Sequence, residues 1–326
     1  MIPAVDPNIR LSRSDVVDRA DLLALCRFGG VSWHFLARES QRDPEADVAT
    51  LLSGHATEEG RNARDTLDRL MESRAQFAEH RREVEDMMAS TSAEGIRLTT
   101  VLDDDYPVNL RVIDNLPPFL FYRGQLQTDD AYSVAVVGTR APSEDGIVRA
   151  QKMATRLAEH GVTVLSGLAR GIDTAAHDAA LVANGRTIAV LGSGIRRVYP
   201  PENGELAERI IASGAVVSQF WPDAAPTSFN FPRRNVVTSG LGQGTVVIEA
   251  SATSGAKLQA RLAVEHGKHV FLLASLVASH DWARNYLKRP RVYEVADVED
   301  IIKVLRSPEQ MRSRAEQRVQ LALNLA

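Results

Sequence analysis

One cysteine, Cys26, in 326 residues leaves no thiol for an internal disulfide or a multi-thiolate metal site. No apolar run approaches the ~20 residues that span a bilayer. Met1–Arg13 lacks the basic-then-apolar order of a secretory leader, so a cytoplasmic address is expected, with no membrane partner. The Walker A lysine sequence and the spaced glycines of a dinucleotide fingerprint are both missing, which argues against a P-loop ATPase and a standard NAD site. His160, His177, His266, His269 and His280 show no metal-ligand spacing with carboxylates. Ser166 and Ser193 sit in no nucleophile motif, and no catalytic residue, metal or cofactor is assigned.

What remains is an ordinary globular composition, 44% hydrophobic and 25% charged, with a formal net charge of −4. That sum excludes a uniformly basic nucleic-acid binder, but the placement of charge differs from the sum. Arg140, Arg149, Lys152, Arg156, Arg170, Arg196, Arg197, Arg233, Arg234, Lys257 and Arg261 crowd the stretch 138–261. They describe either a locally positive groove or solvated helix faces.

Residues 1–92 read as a helical domain. Asp15 or Asp21 is placed to cap a helix through Leu22–Cys26, Gly29-Gly30 breaks it, and a second helix follows over Trp33–Glu39. A stripe of Leu67, Leu70, Met71, Phe77, Val84, Met87 and Met88 marks one buried helical face between Thr57 and Met88. The turn at Gly29-Gly30 fits either contact with a DNA backbone or plain helix packing. From Gly95 to Gly124 the pattern changes to strands added to the edge of the next sheet. Strands are then predicted over 133–137, 162–166, 187–191, 215–219, 245–249, 269–274 and 291–295. Helices are predicted over 144–160, 172–184, 202–213, 232–240, 255–267 and 297–305. Continuous apolar strands alternating with helices imply an α/β, Rossmann-like, doubly wound parallel sheet over 93–305. Residues 306–326 read as a helical tail.

Ligands of such sheets bind beyond the carboxyl ends of the strands. Glycine turns stand there: Gly138-Thr139-Arg140, Ser166-Gly167 through Arg170-Gly171, and Gly192-Ser193-Gly194. Their backbone N–H groups at helix starts are expected to hold an anion. Phe229 and Phe231 beside Arg233, Arg234 and Asn235 suit a single-stranded nucleic acid, rings stacking on bases and guanidiniums gripping phosphate. Alternatively both rings are core contacts. His177 lies one helical turn after Asp173, a spacing at which the two side chains can pair.

GTR at 138–140, SGLARGID at 166–173, AVLGSG with YPPEN at 189–203, FPRRN at 231–235 and VVIEA followed by SGA at 246–256 resemble the DNA-processing protein A (DprA, or Smf) family. The resemblance implies single-stranded DNA bound in a basic pocket, protection of incoming strands in natural transformation, loading of a RecA-type recombinase and action as a homodimer. It places Gly138, Thr139 and Arg140 on the pocket rim and Ser166, Gly167, Arg170 and Gly171 in its floor. Gly192, Gly194, Phe231, Arg233, Arg234 and Asn235 would stand beside the strand, with Ser254, Gly255 and Lys257 at a closing turn. The chain differs from the family pattern at Ala256, at Val236, and after Phe271, where Leu272–Leu276 replaces a Pro-Gly turn. A second reading takes Gly242-Gln243-Gly244-Thr245 with Glu249 as similar to the LONELY GUY phosphoribohydrolases. There Glu249 would stabilise charge at a ribose, and the protein would be a nucleotide enzyme or sensor.

Overall fold

The computed structural model describes residues 18–42, 48–307 and 309–310. Most of the expected tail, and Asp15, lie outside the described residues. The chain begins with helices α1 (Arg19–Arg27), α2 (Trp33–Arg42), α3 (Val48–Leu52), α4 (Arg61–Ser73) and α5 (Phe77–Ala93). The cap of α1 is Asp18, whose carboxylate accepts from Asp21 N–H at 2.8 Å while Asp21 accepts from Asp18 N–H at 3.2 Å. Asp21 is therefore the reciprocal partner and not the cap, because a capping box needs its second acid three residues inside. Gly30, at φ +77°, makes the turn into α2. A 3₁₀ turn over Arg74–Gln76 divides the long periodic stretch, so Leu67, Leu70 and Val84 are buried while Met71 is 39% exposed.

Nine strands form one sheet in the order β1-β2-β6-β5-β4-β3-β7-β8-β9. They are β1 (Arg97–Thr100), β2 (Phe119–Gly124), β3 (Ser133–Val137), β4 (Thr163–Ser166), β5 (Thr187–Val190), β6 (Ala215–Ser218), β7 (Gly244–Val247), β8 (His269–Leu273) and β9 (Val292–Val295). β3 to β9 run parallel, and β1 and β2 join antiparallel at the β6 edge. Strands such as Val134–Val136 and Val246–Val247 are buried throughout because both sheet faces are covered. On one face lie α6 (Glu144–Glu159), α7 (Ile172–Val182) and α8 (Gly204–Ser213). On the other lie α9 (Asn230–Leu241) and α10 (Gly255–Glu265), with α9 crossing the same central strands as α7.

Two helices were not predicted: α11 (Ala274–Ser279) and α12 (Asp281–Tyr286), followed by α13 (Val298–Ile302). They occupy the stretch read as a missing Pro-Gly turn. Without proline or glycine after Phe271, β8 runs on to Leu273 and directly into a helix. The helices before β1 seat against the β1–β2 end of the sheet. Trp33 meets Phe119 at 5.2 Å, Arg38 bonds Glu58 at 2.7 Å and reaches the Asp114 carbonyl, and Arg196 pairs with Glu94 at 2.6 Å. Among the described residues no helix is long and apolar enough to cross a membrane.

Candidate nucleic-acid interface

Strand order reverses at β3. The chain adds β4, β5 and β6 on one side of it, then returns to add β7, β8 and β9 on the other. The connections on either side of β3 leave in opposite directions, and the space between them opens as a crevice. A cleft of about 470 Å³ lies there, lined by the turns after β3 (Gly138, Thr139, Arg140), β4 (Gly167, Ala169) and β7 (Ser251, Ser254, Gly255). Helix α9 closes one wall with Phe231, Arg234, Asn235 and Thr238, a spacing that puts these side chains on one helical stripe.

The floor is a closed electrostatic unit. Arg234 is 7% exposed, and its guanidinium donates to the carbonyls of Gly167 and Val190 (3.0 Å) and to Asn235 Oδ1 at 2.9 Å. A Cβ at Gly167 would land on that guanidinium, so only glycine fits. In the same turn, the Asp173 carboxylate accepts from the N–H of Gly167 at 3.0 Å and of Ala169 at 3.4 Å. The anion-holding role expected of these N–H groups is thus filled by the chain's own carboxylate. The N–H of Thr139 is likewise taken by the Glu249 carbonyl at 2.8 Å. Guanidinium groups at Arg140 and Arg234 supply positive charge to the cleft. Burial pushes the Asp173 carboxyl up from 3.8 against the pull of Arg234 and the two N–H donors.

Asp173 does not pair with His177. The imidazole turns inward, where its Nδ1 meets Thr187 Oγ1 at 2.7 Å. Burial first, and the Arg234 charge second, push its pKa from 6.5 down to about 3. An unfolded chain takes up this proton near pH 6.5 and the folded one does not until far lower, so stability is complete above pH 6.5 and falls on acidification. This one group is expected to remove about 2 kcal/mol between pH 7.5 and pH 5. Urea denaturation at both pH values checks it, and a His177→Gln variant should show a flatter pH dependence than the parent.

The rim is an exposed cluster of a cation and two rings. The Arg140 guanidinium lies 5.1 Å from the centre of the Phe231 ring, and the Tyr199 ring is tilted 42° to that ring with the centres 5.9 Å apart. Phe231 rests on Gly192, where a Cβ would come within 2.6 Å of the ring. Tyr199 is 41% exposed. Arg140 has no carboxylate partner among the described residues. Ser254 caps α10 by accepting from the Lys257 N–H at 3.3 Å, and the Lys257 ammonium sits 5.7 Å from the Trp282 ring.

Other predicted site residues are not brought into this cleft. Arg170 points away, paired with Glu202 in a neighbouring depression with Asn203 and Arg209, and separated from the cleft by the Arg140–Pro142 backbone against Gly171. Arg233 lies on the opposite side of α9, 5.3 Å from Trp33 and 5.5 Å from Phe220. The expected convergence of Arg140, Arg170 and Arg233 on one cavity is therefore corrected: Arg140 and Arg234 share it. Ser166 Oγ donates to the Val136 carbonyl at 2.7 Å inside the sheet, and Gly194 abuts the carbonyls of Trp221 and Pro222. Phe229 is no core contact, being 82% exposed. Thr238 and Gln259, which complete the wall, carry no motif in the sequence; only the helical stripe from Phe231 could have indicated Thr238.

The second reading fails at Glu249. Its carboxylate accepts from Ser143 Oγ at 2.7 Å and Ser143 N–H at 3.2 Å, fixing the start of α6. It is not among the residues lining the cleft. No group of three or more His, Cys, Asp or Glu among the described residues is placed to hold a metal ion.

The reversal at β3, the mostly parallel sheet and the cleft at its carboxyl edge define a Rossmann-like α/β protein. The family model described as DNA recombination-mediator protein A matches residues 97–306. Protein Smf of Escherichia coli is 44% identical over 169 residues, 52% of this chain and 45% of that protein. DNA processing protein DprA of Streptococcus pneumoniae is 39% identical over 199 residues, 61% of this chain and 70% of that one. The X-ray structure of the Streptococcus pneumoniae protein superposes with a TM-score of 0.72 at 30% identity, covering 89% of this chain and 99% of that one. DNA processing protein A of Helicobacter pylori, at 24% identity and a TM-score of 0.56, shares the fold. The chain belongs to the DNA recombination-mediator protein A family, also called DprA/Smf. Its matches span 45% and 44% of the Smf proteins of Escherichia coli and Synechocystis.

Proposed function

We propose that this protein binds single-stranded DNA in the cleft at the β3 switch point and acts there without covalent chemistry as a DNA-processing factor. The observation that carries the reading is the Arg140–Phe231–Tyr199 cluster, a guanidinium without a carboxylate partner among the described residues, beside rings on an open rim. Bases offer a π-face to such rings whatever their sequence, and the adjacent cation meets the phosphate. Membership in a family of recombination mediators supports the same reading, and extends it to protection of incoming strands, hand-over to a RecA-type recombinase, homodimeric action and a cytoplasmic setting. We assign the helical domain at 1–92 and the tail at 306–326 as flanks of the binding domain at 93–305.

The test is a band-shift titration with oligo-dT against duplex DNA of equal length, across a salt series. Preference for the single strand and a steep salt dependence are expected. Arg170→Ala is expected to bind as the parent does, because that guanidinium faces Glu202 outside the cleft. Tighter binding of the duplex, or a large loss in Arg170→Ala, would overturn the assignment to this cleft.

A further inference from the structure

We propose a second single-strand station beyond the cleft: the strand crosses the first turn of α9 and docks on the seam between the β6 end and helices α1 and α2. There Phe229 stacks a base and Arg233 grips a phosphate. The inference rests on the binding reading above and extends it to a surface separate from the cleft.

Helical spacing divides the start of α9 between two faces. Phe231, Arg234, Asn235 and Thr238 line the cleft. Phe229 and Arg233, four residues apart and so one above the other, lie off that stripe. Arg233 marks where this second face looks, with its guanidinium over Trp33 of α2 and Phe220 just past β6. Phe229 is 82% exposed, against 41% for Tyr199 on the cleft rim, so none of the described residues covers it.

The charge at the seam points to an anion. Arg233 has no hydrogen-bonded or ion-paired acceptor for its guanidinium among the described residues, and its carbonyl is held by Gln219 Nε2 at 2.6 Å. The acids of the surrounding elements are engaged elsewhere: Glu83 pairs with Arg27 at 2.5 Å, and Glu94 and Asp223 share Arg196 at 2.6 and 2.7 Å. Arg27 in turn stands 5.4 Å from the Trp221 ring, and Trp221 meets Trp33 at 5.6 Å. The seam therefore holds a half-desolvated guanidinium set among rings and, among the described residues, without a counter-ion, with an exposed phenyl group four residues before it in the chain. That alternation suits a ring-bearing polyanion better than an apolar protein face.

Geometry permits one continuous strand. The ends of β3 and β6 are three strand spacings apart, about 14 Å at ~4.8 Å each. That is about the length of four stacked nucleotides at ~3.4 Å. A strand of about three nucleotides, ~10 Å at ~3.4 Å each, stays within the cleft, and a longer one reaches the seam.

The experiment compares fluorescence anisotropy titrations of dT3 and dT15 with the full chain and with Phe229→Ala, Arg233→Ala and Arg140→Ala. Both seam positions are exposed side chains, and circular dichroism confirms that each variant is folded. Phe229→Ala and Arg233→Ala are expected to bind dT3 within about twofold of the parent and dT15 on the order of tenfold more weakly. Arg233→Ala should also reduce the dT15 salt slope by about 0.7, while Arg140→Ala weakens both lengths. If both seam variants bind dT15 as the parent does while Arg140→Ala loses both lengths, the seam is overturned and the cleft stands. Failure of the parent to bind either length overturns the cleft reading and the seam with it. A Phe229→Ala variant that shifts from dimer to monomer in sedimentation, with dT15 affinity unchanged, makes this face a protein contact and overturns the station.

Discussion

Arg234→Met is expected to cost about 3–5 kcal/mol of folding stability, read as a lowered urea midpoint. Arg234 stands inside one of the family motifs, yet its guanidinium is buried and bonded to the Gly167 and Val190 carbonyls and to Asn235. Methionine fills similar space and supplies no donor. Two buried carbonyls then lose their partner, at about 1–3 kcal/mol each. The Asp173 carboxylate also loses the positive potential of Arg234, although burial already raises its pKa. Arg234→Lys is expected to rescue little, since one ammonium cannot reproduce a planar fork that reaches three acceptors. A double variant with Asp173→Asn should destabilise by less than the sum of the single changes, because the charge left unbalanced by Arg234→Met is then absent. A loss under about 1 kcal/mol in Arg234→Met would show that the floor is not a structural unit. Lost DNA binding in this variant reports a damaged fold, so it cannot by itself identify a DNA contact.

Arg140→Ala and Phe231→Ala are the reverse case, with large expected effects on binding. Arg140 is exposed and unpaired, and its removal should weaken oligo-dT on the order of tenfold at low salt, fading as salt rises. Phe231→Ala removes the ring proposed to carry a base and is expected to cost about 1–3 kcal/mol of binding. Because the guanidinium lies over that ring, the double variant should lose less than the two single losses combined. Arg140→Ala should keep the parent's urea midpoint, which separates a contact from a scaffold residue. Anisotropy titrations at two salt concentrations decide it. An Arg140→Ala variant that binds as tightly as the parent would remove the rim from the site.

Much of the α/β region was legible because its signals are local. Val134–Val137, Ile188–Val190 and Val246–Val247 are apolar on both faces, and a strand with helices above and below has no other way to read. The turns at Gly138, Gly167 and Gly192 are marked by the absence of a side chain, and each is hemmed in by a neighbour a Cβ would strike. The Pro-Gly gap after Phe271 was legible as a difference, but not as two helices. Their formation depends on what Leu276, Val277 and Trp282 pack against.

Direction and pairing were not legible. SGLARGID announces a strand, a turn and a helix, yet Arg170 faces Glu202 outside while Asp173 folds back on the N–H groups expected to hold an anion. In FPRRN the two adjacent arginines take opposite fates, one buried under the cleft and one at the seam with Trp33.

The amino-acid order by itself determined the family, the alternation of strand and helix, and the edge of the sheet where a ligand would lie, since these depend on residue type and short-range spacing. Only the tertiary structure decided which guanidiniums remain available to an anion and which are held by the chain's own carbonyls and carboxylates. Whether a cation is free depends on acceptors tens of residues away, as Gly167 is from Arg234, and no local pattern records them.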